Sequence, residues 1–233
     1  MRLAVPLLLS QVEAADRLSR SLPQWALAER ALMSLGEGLP GLGPEETLLK
    51  VAAVNSLYYT NVYALARMAE HVHAVLAAFG QEAASDRGTA SHEGAMQGPD
   101  LVERLADLPP SPGQKSPRKF TSFASKFAHF FIDRERFPIY DSYAVRMVTY
   151  HLGPANSVRE PDHPYRSFVT NLERLRTLAG LSLSSCELDG YLWLAGQYLS
   201  WRRNRDAIIN SELKGLFEAP SPEAAAELAS LLG

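Results

Sequence analysis

Apolar residues recur at helical spacing through most of this chain, and few of its segments carry the signals that a sheet needs. Alanine and leucine dominate, β-branched runs are short, and no Asn-Gly dipeptide joins two alternating apolar segments. The expected fold class is therefore all-α. With 233 residues, 46% of them hydrophobic, the chain can bury a real core as one large domain or two small lobes.

Leu18 to Leu35 has apolar residues at helical spacing and stops in the turn-rich stretch from Gly36 to Pro44. Thr47 to Phe79 predicts one or two buried helices ending at Gly80, and residues 81–99 predict a loop. A short helix is expected from Asp100 to Leu108, capped by Asp100, followed by a proline-rich basic linker from Pro109 to Lys119. Two aromatic-rich segments come next, Phe120 to Phe131 and Tyr140 to Leu152. Tyr165 to Leu178, Leu188 to Trp201 and Ser221 to Leu232 complete the expected helices.

Charge and cysteine usage narrow the function. A net charge of −3 argues against holding nucleic acid by bulk charge, because such binding neutralises many phosphates. A local basic groove is still compatible with it. From Lys115 to Arg136 there are six basic residues (Lys115, Arg118, Lys119, Lys126, Arg134, Arg136) against two acidic ones (Asp133, Glu135). Trp201-Arg202-Arg203-Asn204-Arg205 forms a second basic, aromatic patch. Basic groups among aromatics suit phosphate neutralisation with base stacking, whereas a solvated helix face is the plainer reading of the second patch. The single cysteine, Cys186, excludes an internal disulfide, a multi-cysteine zinc site and a self-contained iron–sulfur cluster, and fits a reducing, cytoplasmic setting. No segment has the apolar length of a membrane span. The first nine residues are too short and too proline-interrupted for a signal sequence, so an N-terminal helix is expected.

Two residues invite chemistry. In a helix from Phe120 to Phe131, Phe120, Phe123, Phe127 and Phe131 share one face and Lys126 sits at its edge. There a lysine commonly snorkels, with its stem on apolar surface and its amine in water. Lining a partly desolvated cleft, it would instead have a lowered pKa and act as an amine nucleophile. Fifteen residues on, Asp141 follows Phe137-Pro138-Ile139-Tyr140 and precedes a helical pattern, which places it as an N-cap. An aspartate facing a cleft can also stabilise a developing sugar cation.

Phe120-Thr121-Ser122-Phe123-Ala124-Ser125-Lys126 resembles the hairpin-plus-helix motif of the helix-hairpin-helix DNA glycosylases, the superfamily of endonuclease III and the adenine and 8-oxoguanine glycosylases. Phe137 to Ala144 resembles their aspartate motif. Leu49 to Val62 resembles an N-terminal segment that wedges a side chain into DNA, and Asp189 to Tyr198 resembles the last core helix. The resemblance covers roughly residues 48 to 200. It departs at Ser122 and Ala124, which replace the hairpin glycines, and at Tyr143, which replaces a histidine.

The resemblance implies a two-lobed helical unit spanning 1–233. One lobe, about 100–152, would carry the hairpin-like segment, and 1–80 with 165–233 would form the other. It implies a monomer that excises a damaged or modified base from double-stranded DNA, with 8-oxoguanine the favoured lesion and no cofactor or metal. Lys126 and Asp141 would be catalytic, with AP-lyase activity through a lysine Schiff base. DNA contacts are expected from Tyr58, Lys115, Arg118, Lys119, Ser122 and Ser125, and base-pocket contacts from Phe127, Phe130, Tyr140, Tyr143 and Trp193. The alternatives are a non-catalytic nucleic-acid-binding relative and a helical protein-interaction domain.

Other patterns carry less. In Glu70-His71-Val72-His73 the histidines fall on different helix faces, which predicts no metal site. Ser184-Ser185-Cys186 lacks nucleophile-elbow glycines, and Gly36 to Gly43 lacks the lysine-serine ending of a phosphate loop.

Overall fold

The computed structural model describes residues 2–85, 98–110 and 118–233. Eleven α-helices are described: α1 (Leu9–Ser19), α2 (Pro23–Gly38), α3 (Pro44–Tyr58), α4 (Leu65–Ser85), α5 (Pro99–Ala106), α6 (Thr121–Phe131), α7 (Ser142–Leu152), α8 (Pro164–Ala179), α9 (Ser185–Arg203), α10 (Ser211–Glu218) and α11 (Pro222–Ser230). Asp107–Leu108 and Arg118–Lys119 form a two-residue antiparallel ladder, β1 and β2, pairing Asp107 with Lys119 and Leu108 with Arg118. The fold class is all-α.

By contacts the chain forms two compact units. The first comprises Met1–Glu29, Asp141–Arg159 and Ser167–Gly233; the second comprises Arg30–Tyr140 and Glu160–Arg166. The expected lobe at about 100–152 is thereby divided at Asp141.

In the first unit α9 is the axis. Leu188, Tyr191, Leu192, Leu194, Ala195 and Leu199 are buried on one half of the helix, and Ser185, Asp189, Gln197 and Ser200 are buried on the other. A helix buried on both halves must be covered on all sides, and α1 and α7 pack against it. It lies tight against α7 at Gly196, where a Cβ would lie 2.6 Å from the Tyr143 carbonyl oxygen. His151 on α7 sits between the Val5 carbonyl at 3.0 Å and the Tyr191 hydroxyl at 2.8 Å. Burial lowers its pKa, so the neutral ring donates from Nδ1 to Val5 and accepts at Nε2 from Tyr191.

In the second unit α3 packs on α4, and α5 and α3 both pack on α6. Buried Met68, Ala69 and Val72 of α4 meet a core that includes Leu101, Val102 and Leu105 of α5 and Phe123, Ala124, Phe127 and Ala128 of α6. Deleting a phenyl ring from such a core costs about 3–5 kcal/mol. Tyr165 is completely buried, and its hydroxyl donates to the Pro138 carbonyl at 3.0 Å.

Several boundaries differ from the sequence reading. The expected helix from Leu18 to Leu35 is two helices broken ahead of Pro23. The region after Thr47 breaks between Tyr58 and Leu65, where Tyr59 (φ 49°) and Asn61 (φ 59°) are left-handed. There α4 runs past Gly80 to Ser85, and residues 86–97 of the expected loop lie outside the described residues. Asp100 is not the cap of α5. Gly98 occupies the cap position, and the Asp100 carboxylate pairs with Arg166.

Two helices that open on proline take their caps from far along the chain. The Glu212 carboxylate accepts from the N–H groups of Gln24 (2.9 Å) and Trp25 (3.1 Å) at the start of α2. Glu103 Oε1 accepts from those of Tyr165 (2.8 Å) and Arg166 (3.1 Å) at the start of α8. Each carboxylate satisfies orphan donors at the positive end of a helix.

Candidate functional site

The site grows from α6. Because α3 and α5 flank this helix, its polar face is covered along with its apolar one. Thr121, Ser125, Lys126 and His129 are buried beside the phenylalanines. The expectation of a lysine amine in water is thus corrected, since Lys126 is only 5% exposed. Its Nζ donates to Ser122 Oγ at 2.8 Å and lies 5.5 Å from the centre of the Tyr58 ring. Tyr58 closes α3 and stacks, tilted, on Phe130 at 5.7 Å. The fold brings Tyr58, Ser122, Lys126 and Phe130 together in the second unit.

Ser125 secures the segment after α6. Its Oγ accepts from the Tyr140 N–H at 3.0 Å and donates to the Ser122 carbonyl at 3.2 Å. Phe127 is completely buried between Phe123 and Phe131, so its ring belongs to the core and has no surface to offer a base. Ser122 and Ala124, which replace the glycines of the resembled hairpin, lie within a regular helix. The left-handed non-glycine residues among those described are Tyr59 and Asn61, so no left-handed turn forms at this position.

The remaining expected residues lie elsewhere. Asp141 caps α7 as read from the sequence, its Oδ1 accepting from the N–H groups of Tyr143 and Ala144 at 2.8 Å each. It belongs to the first unit, as do Tyr143 and Trp193, whereas Lys126 belongs to the second. The Tyr143 hydroxyl donates to the Ile208 carbonyl at 2.6 Å, and burial raises its pKa. Trp193 stacks on Trp25 with ring centres 5.4 Å apart. Arg118 lies over Phe120 (5.2 Å) and Tyr63 (6.0 Å), and the Lys119 amine donates to the Asp162 carbonyl. Lys115 lies outside the described residues.

Sequence reasoning passed over two places. A cavity of about 300 Å³ lies beside the end of α6, lined by Lys50, His129, Phe130, Phe131 and Arg134 together with the carboxylates of Glu37 and Asp133. Lys50 is 1% exposed, donates to the Gly41 carbonyl at 2.6 Å, and has its pKa lowered by burial. His129 accepts no proton near neutrality, because burial pushes its pKa down to about 4 while its Nδ1 donates to the Phe137 carbonyl at 3.0 Å. The second place is a cleft of about 150 Å³ beside Tyr63, Arg67 and Arg118. No spacing signal marks either, since both depend on residues far apart in sequence.

Among the described residues, no group of three or more His, Cys, Asp or Glu could hold a metal ion. His71 and His73 each meet a backbone carbonyl, that of Arg104 at 3.0 Å and that of Leu42 at 2.8 Å. No helix among the described residues is long and apolar enough to cross a membrane.

Comparison with known proteins places the chain in a family. A model described as the HI_0787_N N-terminal domain matches residues 13–136, just over half of the chain. The chain belongs to the HI_0787_N family. No curated protein and no solved structure matches it. The HI_0787_N span holds Tyr58, Ser122, Lys126 and Phe130, and it ends ahead of Tyr140, Asp141, Tyr143 and Trp193.

Proposed function

We propose that the chain acts on double-stranded DNA as a glycosylase that removes a damaged or modified base through the amine of Lys126. The observation that carries this reading is the amine itself, held away from water on the Ser122 hydroxyl and against the Tyr58 ring. In such a reaction the neutral amine is the nucleophile. Its nitrogen bonds to C1′ as the glycosidic bond breaks, and the base departs with a proton. Opening of the sugar gives an iminium linkage to Lys126. Loss of a C2′ proton then expels the 3′ phosphate, the AP-lyase step. Asp141, whose Oδ1 caps α7, takes the role that the resemblance gives its aspartate, the stabilisation of a developing sugar cation. Tyr58 and Phe130 offer aromatic faces to an extruded base. We favour 8-oxoguanine as the lesion, a monomeric enzyme and a cytoplasmic setting.

One observation favours a second reading. With Ser122 and Ala124 in a regular helix, the phosphate-binding turn of the resembled hairpin is missing, as suits a binding relative without catalysis. Borohydride trapping separates the two. The protein is incubated with duplexes bearing an abasic site or 8-oxoguanine, and adducts are resolved by gel. A covalent adduct absent from Lys126→Gln supports the lyase. Base release without an adduct, abolished by Asp141→Asn, supports a monofunctional glycosylase. Duplex binding with neither outcome supports the second reading and refutes the first.

A further inference from the structure

Two large aromatic side chains of the second unit stand almost free in solvent: Tyr59 and Tyr63 are each 83% exposed. They flank the break between α3 and α4, where the backbone is strained. Tyr59 (φ 49°) and Asn61 (φ 59°) both hold the left-handed conformation, which asparagine adopts readily but which costs a residue such as Tyr59 about 1–2 kcal/mol. Asn55 fixes that shape, because its Oδ1 accepts from Thr60 Oγ at 2.9 Å and from the Val62 N–H at 2.8 Å. The loop ends α3 on Tyr59 and keeps two tyrosines out of the core, and backbone strain of this kind concentrates at functional sites.

Beside Tyr63 lies the cleft of about 150 Å³, with Phe120, Leu108 and Pro109 among its apolar walls. Of its described lining residues the charged ones are Arg67, whose guanidinium donates to the Pro109 carbonyl at 2.8 Å, and Arg118, and none of those described carries a carboxylate. Arg118 lies over both the Tyr63 and Phe120 rings, which holds its guanidinium at the rim. The larger cavity near Lys50 lacks this one-sided charge, since Glu37 and Asp133 line it.

We propose that Tyr59, Tyr63, Arg67 and Arg118 form a binding surface for single-stranded nucleic acid. Bases stack on the two tyrosine rings, one of them entering at the cleft, and the arginines neutralise flanking phosphates. Unpaired strands are favoured because a tyrosine needs a free base face, which a stacked duplex does not offer. The proposal rests on the nucleic-acid reading above but not on the amine chemistry of Lys126.

The test measures fluorescence anisotropy of labelled oligo(dT) about twelve nucleotides long, with the blunt duplex as competitor. Wild type is expected to bind the single strand at least about tenfold more tightly than the duplex. Tyr59→Ala and Tyr63→Ala should each weaken binding about tenfold, whereas Tyr63→Phe, which keeps the ring, should not. Arg118→Gln should lower the log–log salt slope by about 0.7. Single-strand affinity no better than duplex affinity, or alanine variants that bind as wild type does, overturns the proposal, as does a slope unchanged in Arg118→Gln. If Lys126→Gln binds the strand normally while trapping fails in the wild type, the base-excision reading falls alone. Trapping without tyrosine-dependent binding sinks the stacking surface alone.

Discussion

Replacing His129 by asparagine converts the buried core of the second unit into a measurable pH response. The ring is 2% exposed, and its burial, aided by the nearby charges of Arg134 and Lys126, pushes the pKa down to about 4. In the unfolded chain it returns to about 6.5. As pH falls below 6.5 the unfolded state takes up a proton that the folded state refuses, so stability is fully present above that value and drains away toward pH 4. The shift of about 2.5 units corresponds to about 3.4 kcal/mol in total, of which about 2 kcal/mol is lost between pH 7 and pH 5. Asparagine keeps an N–H for the Phe137 carbonyl but has nothing to titrate. Urea unfolding followed by far-ultraviolet circular dichroism at pH 7, 6 and 5 supplies the comparison. The wild type should lose about 2 kcal/mol more than the variant over that range, while His151, whose pKa is also lowered, destabilises both alike. Equal losses in the two proteins would refute the buried, neutral state of His129.

Other perturbations follow from packing and backbone geometry. Gly196→Ala sets a methyl group within 2.6 Å of the Tyr143 carbonyl oxygen, where backbone must yield, and should cost about 1–3 kcal/mol in calorimetry. Glu103→Ala removes the cap of α8 and should lower stability by about 1–2 kcal/mol in denaturant titration, with Glu103→Gln losing less because an amide oxygen still accepts. Tyr59→Gly relieves left-handed strain and should raise stability by about 0.5–1 kcal/mol in thermal melts, while weakening single-strand binding.

What could be read in advance follows from how local its cause is. The α6–α7 region was legible because the phenylalanine spacing and the Asp141 cap each act within a few residues. The cap of α10 was equally local: Asn210 accepts from the N–H groups of Glu212 and Leu213, a signal that could have revealed that helix. The break after Tyr58 was not legible, because no glycine or proline stands between Tyr59 and Ala64 and the Asn55 side chain shapes the turn. Burial of Lys126 also escaped the helical wheel, which measures one face while α3 and α5 cover more. The caps from Glu103 and Glu212 depend on partners 62 and 188 residues distant, beyond any spacing rule.

The chain passes between its two units four times: 1–29, then 30–140, 141–159, 160–166 and 167–233. During synthesis the second unit has all its parts once Arg166 has emerged, whereas α1 must wait for α9 and α11. Until then Val12, Ala15 and Leu18, buried in the finished fold, lack the two helices against which α1 chiefly packs. Helix α1 is thus satisfied only late in synthesis. That interval is where a nascent chain of this kind is most exposed to aggregation and most dependent on holding chaperones.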